Sequence, residues 1–163
     1  MGIAVTALLQ QAIDALVIQD VYFRASEARL EDDFDPRHDP DMGSLSIEYK
    51  HLVTHSRILT LEDEEKSEQL FQVFIDLGTR WVLPAGDEAD EPQVRAHIEA
   101  TLVAEYRMKS DPGSEALQAF ALQNASFHAW PYWREFLSSQ CLRMNLPKLV
   151  LPARQFAFNH DEE

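Results

Sequence analysis

The side chains that could do chemistry are few, and their spacing argues against most of it. His51 and His55 stand four residues apart in "HLVTH". On a helix both imidazoles would turn to one side and could seat a metal ion. On a strand the same four residues cover about 13 Å, too far for one ion to bridge. The surrounding alternation favours the strand, so no metal is expected. Serine, histidine and aspartate all occur, but no G-x-S-x-G elbow presents a nucleophile. The five glycines form neither a P-loop nor a G-x-G-x-x-G turn. The acid pairs Asp32-Asp33 and Glu64-Glu65 sit in charge runs, which read as solvated surface rather than as buried acid–base dyads. The expectation is a chain that is not an enzyme and carries no cofactor.

What remains is a concentration of rings. The stretch "FHAWPYWREFLSSQ", Phe127 to Gln140, groups aromatics around Pro131 and runs on into an apolar segment. Proline needs no amide donor at a first helical position, so a helix is expected to open at Pro131, with Trp133, Phe136, Leu137 and Cys141 spaced i, i+3, i+4 and i+8. Rings on so short a helix cannot all face one way. Core packing and an exposed apolar surface both remain open for Trp130, Tyr132, Trp133 and Phe136.

The elements that must position these rings show in the periodicity. In "VRAHIEATLVAEYRMK", Val94, Ala96, Ile98, Ala100, Leu102, Ala104, Tyr106 and Met108 share one phase, while the other is polar except for Val103. A strand with one face so regularly wet belongs to an antiparallel sheet covered on one side only. Phe71 to Leu83 repeats the pattern, with Phe71, Val73, Ile75, Leu77, Trp81 and Leu83 inward, and ends at a Pro84-Ala85-Gly86 turn. Leu45 to Ile58 alternates and then slips at Leu52, which predicts a bulge. The first strand is expected over Val17 to Ala25, with Val17, Val21, Phe23 and Ala25 in phase. Between it and the second lies "EARLEDDFDPRHDPDMG", Glu27 to Gly43, an acidic, two-proline crossing loop longer than most. Asp111 before Pro112 predicts an N-cap for a helix carrying Leu117, Phe120 and Ala121. The fold class is α+β: four antiparallel strands with helices on one face.

Length and charge bound the rest. At 163 residues the chain fits one domain, 1–163, with a short N-terminal helix over 1–15 and an acidic tail over 159–163. Acids number 28 against 14 lysines and arginines, a formal charge of −14, which repels nucleic acids and anionic membranes. Basic or unfolded polypeptide is the more natural partner. Cys141 is the only cysteine, so no intramolecular disulfide forms, and a reducing, cytoplasmic setting fits. No window approaches the roughly 18 apolar residues of a membrane span.

With these residues in place, the chain resembles the SecB family of protein-export chaperones. In "WPYWREFLSSQCLRMNLPKLVLPARQF", Pro131, Tyr132, Arg134, Glu135, Pro147, Leu149, Leu151, Pro152 and Phe156 match the family's F-P-Y-x-R-E helix opening and the proline-bracketed strap after it. In "IQDVYFRA", Asp20 and Phe23 match the family's first strand. The resemblance covers about Leu16 to Phe158 and is most specific in the C-terminal third. It implies an ATP-independent chaperone, a dimer or a dimer of dimers, that binds unfolded polypeptide or preprotein in hydrophobic grooves. The groove walls it implies here are Phe34, Met42, Leu45 and Ile47 near the crossing loop, with Trp130, Trp133, Phe136 and Leu137 on the helix. It further implies handover to the SecA translocase motor through acids matching Asp20 and Glu99. Two departures bear on this. The chain ends in "FNHDEE" where the family continues into a last helix and tail, and bulkier residues near Val103 and Ala104 replace a glycine pair. Shortened SecB-like proteins also serve as chaperones of antitoxins, so an antitoxin is a second candidate partner. A noncatalytic scaffold that kept the fold is the third reading.

Overall fold

A computed structural model describes residues 6–87, 91–149 and 151. Residues 1–5 of the expected N-terminal helix, Pro152 and Phe156 of the strap and the acidic tail 159–163 lie outside the described residues. Helix α1 (Ala7–Ala15) leads into strands β1 (Leu16–Leu30), β2 (Ser46–Glu62), β3 (Ser67–Leu83) and β4 (Gln93–Met108), then α2 (Ser114–Gln123) and α3 (Ala125–Arg143). The four strands form one antiparallel sheet in the order β1-β4-β3-β2. β1 and β2 are therefore the two edges, and the acidic loop between them crosses the end of the sheet.

One phase of the central strands faces the helices. Phe71, Val73, Ile75, Leu77 and Trp81 of β3 pair in register with Tyr106, Ala104, Leu102, Ala100 and Ala96 of β4. All ten are buried in the core, together with Leu117 and Phe120 of α2 and Trp133, Leu137 and Cys141 of α3. The alternation that marked β4 in the sequence thus states which side carries the helices. Val103, the apolar exception, lies on the helix-free side opposite Tyr22 and Phe74 and is fully buried.

Several boundaries differ from expectation for local reasons. β1 runs on to Leu30, because Ala28 and Leu30 keep the phase opposite Ile98 and Ala96 while Glu27 and Arg29 face the solvated side. Register shifts between Ile18 and Asp20 and between Phe23 and Ala25 break the single phase expected for β1. Val21 and Phe23 stay on the helix side, while Val17 and Ala25 oppose Arg107 and Thr101 on the other. In β3 a shift after Trp81 sets Val82 opposite Val94, so Leu83 leaves the inward row. The bulge of β2 falls between Val53 and His55, just past the expected slip.

Both later helices start elsewhere than expected. Asp111 does not cap α2 directly; its Oδ1 accepts the Gly113 amide at 2.9 Å, and Gly113 itself is the N-cap, at φ 95°. Only glycine takes that backbone without strain. Helix α3 opens six residues before Pro131, at Ala125, and keeps the proline inside. The lost amide bond is tolerated because Trp130 and Trp133, on either side of the proline, anchor the helix in the core. At the other end of the chain the Thr6 hydroxyl accepts the Leu9 amide at 3.2 Å and caps α1. Among the described residues no helix is long and apolar enough to cross a membrane.

Candidate functional site

The least satisfied surface of the fold is the edge formed by β2. Among the described residues β2 is hydrogen-bonded to β3 alone, so one side of a 17-residue strand presents unpaired backbone donors and acceptors. Its helix-side residues stay open because α3 lies mainly over β4. Ile47, Tyr49 and Ile58 oppose the buried Trp81, Thr79 and Phe71 in register, yet Tyr49 is 52% and Ile58 41% exposed. Each contributes apolar surface where a folded chain would ordinarily hide it.

Between this strand and α2 lies a groove of about 510 Å³ lined by Val53, Ile58, Phe71, Leu117, Ala121 and Leu122, among others. Leu117 turns inward to the core, whereas Leu122, one turn on, is 56% exposed at the rim. Val53, Ile58, Leu117 and Leu122 were not among the sequence candidates. The signal for Ile58 was present in the alternation of the strand, but nothing in the sequence says where α2 stops covering it.

The crossing loop closes the Ile47 end. Phe34 is only 4% exposed, with the Arg95 guanidinium 5.3 Å above its ring. Arg95 also pairs with Asp33 at 3.2 Å and Asp39 at 3.7 Å, which clamps the loop against β4. Met42, in a short 3-10 turn over Met42–Ser44, and Leu45 are partly buried against the same core. These loop residues and Ile47 come together at one end of the sheet. Phe34 faces inward as a loop anchor.

The expected helix wall is placed differently. Trp130, Trp133 and Leu137 are buried core residues, Trp133 being 1% exposed. Helix α3 as a whole lies mainly over β4. Phe136 is partly buried, 5.0 Å from Phe23 on β1 and 6.1 Å from Trp133. It therefore lies toward the opposite sheet edge from β2. Tyr132 and Leu142 are the exposed large hydrophobic residues of α3.

Asp20 and Glu99 both face the helix-free side, but they do not meet. Asp20 opposes Glu105, six residues along β4 from Glu99, which is about 20 Å. Glu99 opposes Gly78, where an added Cβ would come within 3.3 Å of its Cγ, so the carboxylate stem lies flat over the glycine. That face also carries a feature not anticipated from sequence. Phe74 is covered by His55, stacked at 4.0 Å, and by Arg57, 5.1 Å above the ring. Arg57 Nε donates to Gln72 at 2.9 Å, and Gln72 donates to Glu105 at 2.6 Å. The two histidines weighed as a metal pair point to opposite faces across the bulge, His51 lying 2.6 Å from the Ser126 hydroxyl on α3. Among the described residues no group of three His, Cys, Asp or Glu side chains could hold a metal ion.

The core supplies the shifted titrations. Burial lowers the pKa of His128 and raises that of Tyr106 well above its ordinary value. Burial also pushes the Cys141 thiol up to about 11. None of the three lies in the groove, and none has the exposure a nucleophile needs.

No family model and no curated protein sequence matches the chain. In architecture it is similar to the SecB-like chaperone Rv1957 of Mycobacterium tuberculosis, solved in complex with a ChAD peptide from the HigA1 antitoxin, Rv1956. The TM-score is 0.63 at 19% identity, covering 92% of this chain and 98% of that one. The four-stranded α+β fold is thus a SecB-like fold.

Proposed function

We propose that the protein is an ATP-independent chaperone that holds an extended apolar segment of a client along β2 and the groove beside α2. The observation that carries this reading is the open β2 edge, apolar on its helix side and free along its backbone. An extended peptide placed there adds a fifth strand, drawing on main-chain hydrogen bonds for affinity. Alternate side chains then drop toward Val53, Ile58 and Leu122, where apolar burial contributes at about 25 cal/mol per Å². Such a site reads shape and hydrophobicity rather than one sequence.

The likeness to a chaperone solved with an antitoxin peptide supports a dedicated client of antitoxin type over general export. Handover to the SecA motor through Asp20 and Glu99 draws support from the sequence resemblance alone. A noncatalytic, cytoplasmic protein that self-associates to a dimer or tetramer belongs to the same reading, with the single buried cysteine suited to a reducing compartment.

The test is suppression of aggregation of a chemically unfolded client without nucleotide, together with direct binding of an antitoxin-derived peptide. Ile58→Ser and Leu122→Ser should weaken both while leaving the unfolding midpoint unchanged. N-methylation of alternate peptide amides should abolish binding, since it removes the strand donors. A wild type that binds neither peptide nor any of several unrelated clients sinks the reading.

A further inference from the structure

We infer that the segment accepted by the β2 edge is basic at both ends and uncharged in its middle. The inference rests on the strand-addition reading above and concerns which peptides that edge selects.

The charges along β2 are arranged unevenly. Along the strand itself they are engaged by lateral neighbours within the sheet. Glu48 accepts from Arg80 Nε at 2.7 Å, and Lys50 lies 3.8 Å from Asp76. Arg57 bonds Gln72 and covers Phe74. A charged client residue set against this stretch meets apolar surface and side chains already engaged within the sheet, and loses hydration for little return.

Beyond both ends the balance is negative. At one end the crossing loop, which runs into Ser46 where β2 begins, carries Asp32, Asp35 and Asp41, all exposed, against the exposed cation Arg37. Asp33 and Asp39 are engaged by Arg95, but the Asp35 carboxylate accepts only a backbone amide, from Arg37 at 3.1 Å. At the other end Glu62 closes β2, and the turn into β3 carries Asp63, Glu64 and Glu65, all exposed, with Lys66 as its one cation. Asp63 Oδ1 accepts the amides of Glu65 and Lys66 at 2.8 and 2.7 Å, so the turn is fixed by its own acid. The two acidic ends are separated by the 17 residues of β2, about 55 Å of extended chain. That is several Debye lengths at physiological salt, so each end attracts its own basic group independently. The pair of ends therefore sets register and length as well as affinity.

The experiment uses the intact protein and two labelled 17-residue peptides of identical composition, matched to the strand. One has an alternating leucine–serine centre with two lysines at each end; the other has the same four lysines moved to the centre. Exposed ion pairs contribute modestly each, so the bracketed peptide is expected to bind about tenfold tighter at low salt. The gap should close as salt rises toward about 1 M. The E62Q/E64Q/E65Q variant, whose changes are all on exposed positions, should remove much of the difference, and circular dichroism confirms that it folds. Equal affinity of the two peptides, or a preference untouched by the variant, overturns the inference while leaving the chaperone reading in place. If neither peptide binds, nor a wholly uncharged leucine–serine control, the chaperone reading itself falls.

Discussion

The Tyr106 hydroxyl lies 2.7 Å from Nδ1 of His128, tying the helix side of β4 to the first turns of α3. Burial favours the neutral imidazole and the protonated phenol, and the tautomer of the ring sets which of the two donates. The Phe120 ring meets Tyr106 edge-on at 4.8 Å and packs near His128. One hydrogen bond thus sits where β4, α2 and α3 converge.

Its pH dependence has a definite sign. The folded-state pKa of His128 lies below the ordinary value of 6.5, so below that pH the unfolded chain takes up the proton more readily. Stability from the neutral ring is fully present above about pH 6.5 and is lost as pH falls toward the depressed folded value. Urea midpoints measured between pH 8 and 5 should fall on acidification, and His128→Gln should flatten that fall. An unchanged slope in the variant would assign the acid sensitivity to other groups.

The burial of Trp133 separates stability from binding. Trp133→Ala and Leu137→Ala each remove a fully buried side chain and should cost about 3–5 and 2–5 kcal/mol respectively. Client affinity should then fall only in proportion to unfolding. Tyr49→Ser and Ile58→Ser alter half-open positions and should cost under about 1 kcal/mol, yet weaken peptide binding several-fold. Paired urea titrations and anisotropy measurements on the four variants would reveal a crossed pattern; parallel losses in all four would argue against a β2 groove.

These same residues show what the sequence could and could not disclose. β4 was legible because sixteen residues hold one alternation against two neighbours, which fixes the buried face. The crossing loop was legible from its acids and prolines. The groove was not, since helical spacing says that Trp133, Leu137 and Cys141 share a face but not which surface that face meets. Pro131 compounded this, because proline marks a helix start on local grounds and only tertiary packing lets it sit inside one. The exposure of Ile58 depends on α3 lying over β4 rather than β2, a long-range fact with no local signature.

Arg95 should control the crossing loop. Its guanidinium pairs with Asp33 and Asp39 and covers Phe34 while itself being largely buried. Arg95→Ala leaves two loop acids without their cation and uncovers the ring, an expected loss of about 1–3 kcal/mol. Arg95→Lys keeps the charge but not the fork, and should recover only part of it. Hydrogen exchange offers the discriminating readout: protection should drop over residues 31–45 in the alanine variant while β4 amides stay protected. Uniform loss across the sheet would mean that Arg95 serves the core rather than the loop.

Cys141 reports on the packing of α3 from within. It is the only thiol of the chain, it is buried beneath the helix, and its pKa is pushed up to about 11 by that burial. Both effects suppress the thiolate that reacts with disulfide reagents. At pH 7.5 the native protein should therefore label only through transient opening, with a rate set by the opening free energy, and should label completely in urea. If Trp133→Ala loosens the α3 core as its burial requires, labelling of Cys141 should accelerate in step with the lost stability, whereas Ile58→Ser should leave the rate near that of the wild type. Rapid labelling of the native wild type would place the thiol at the surface and undo the assignment of this helix face to the core.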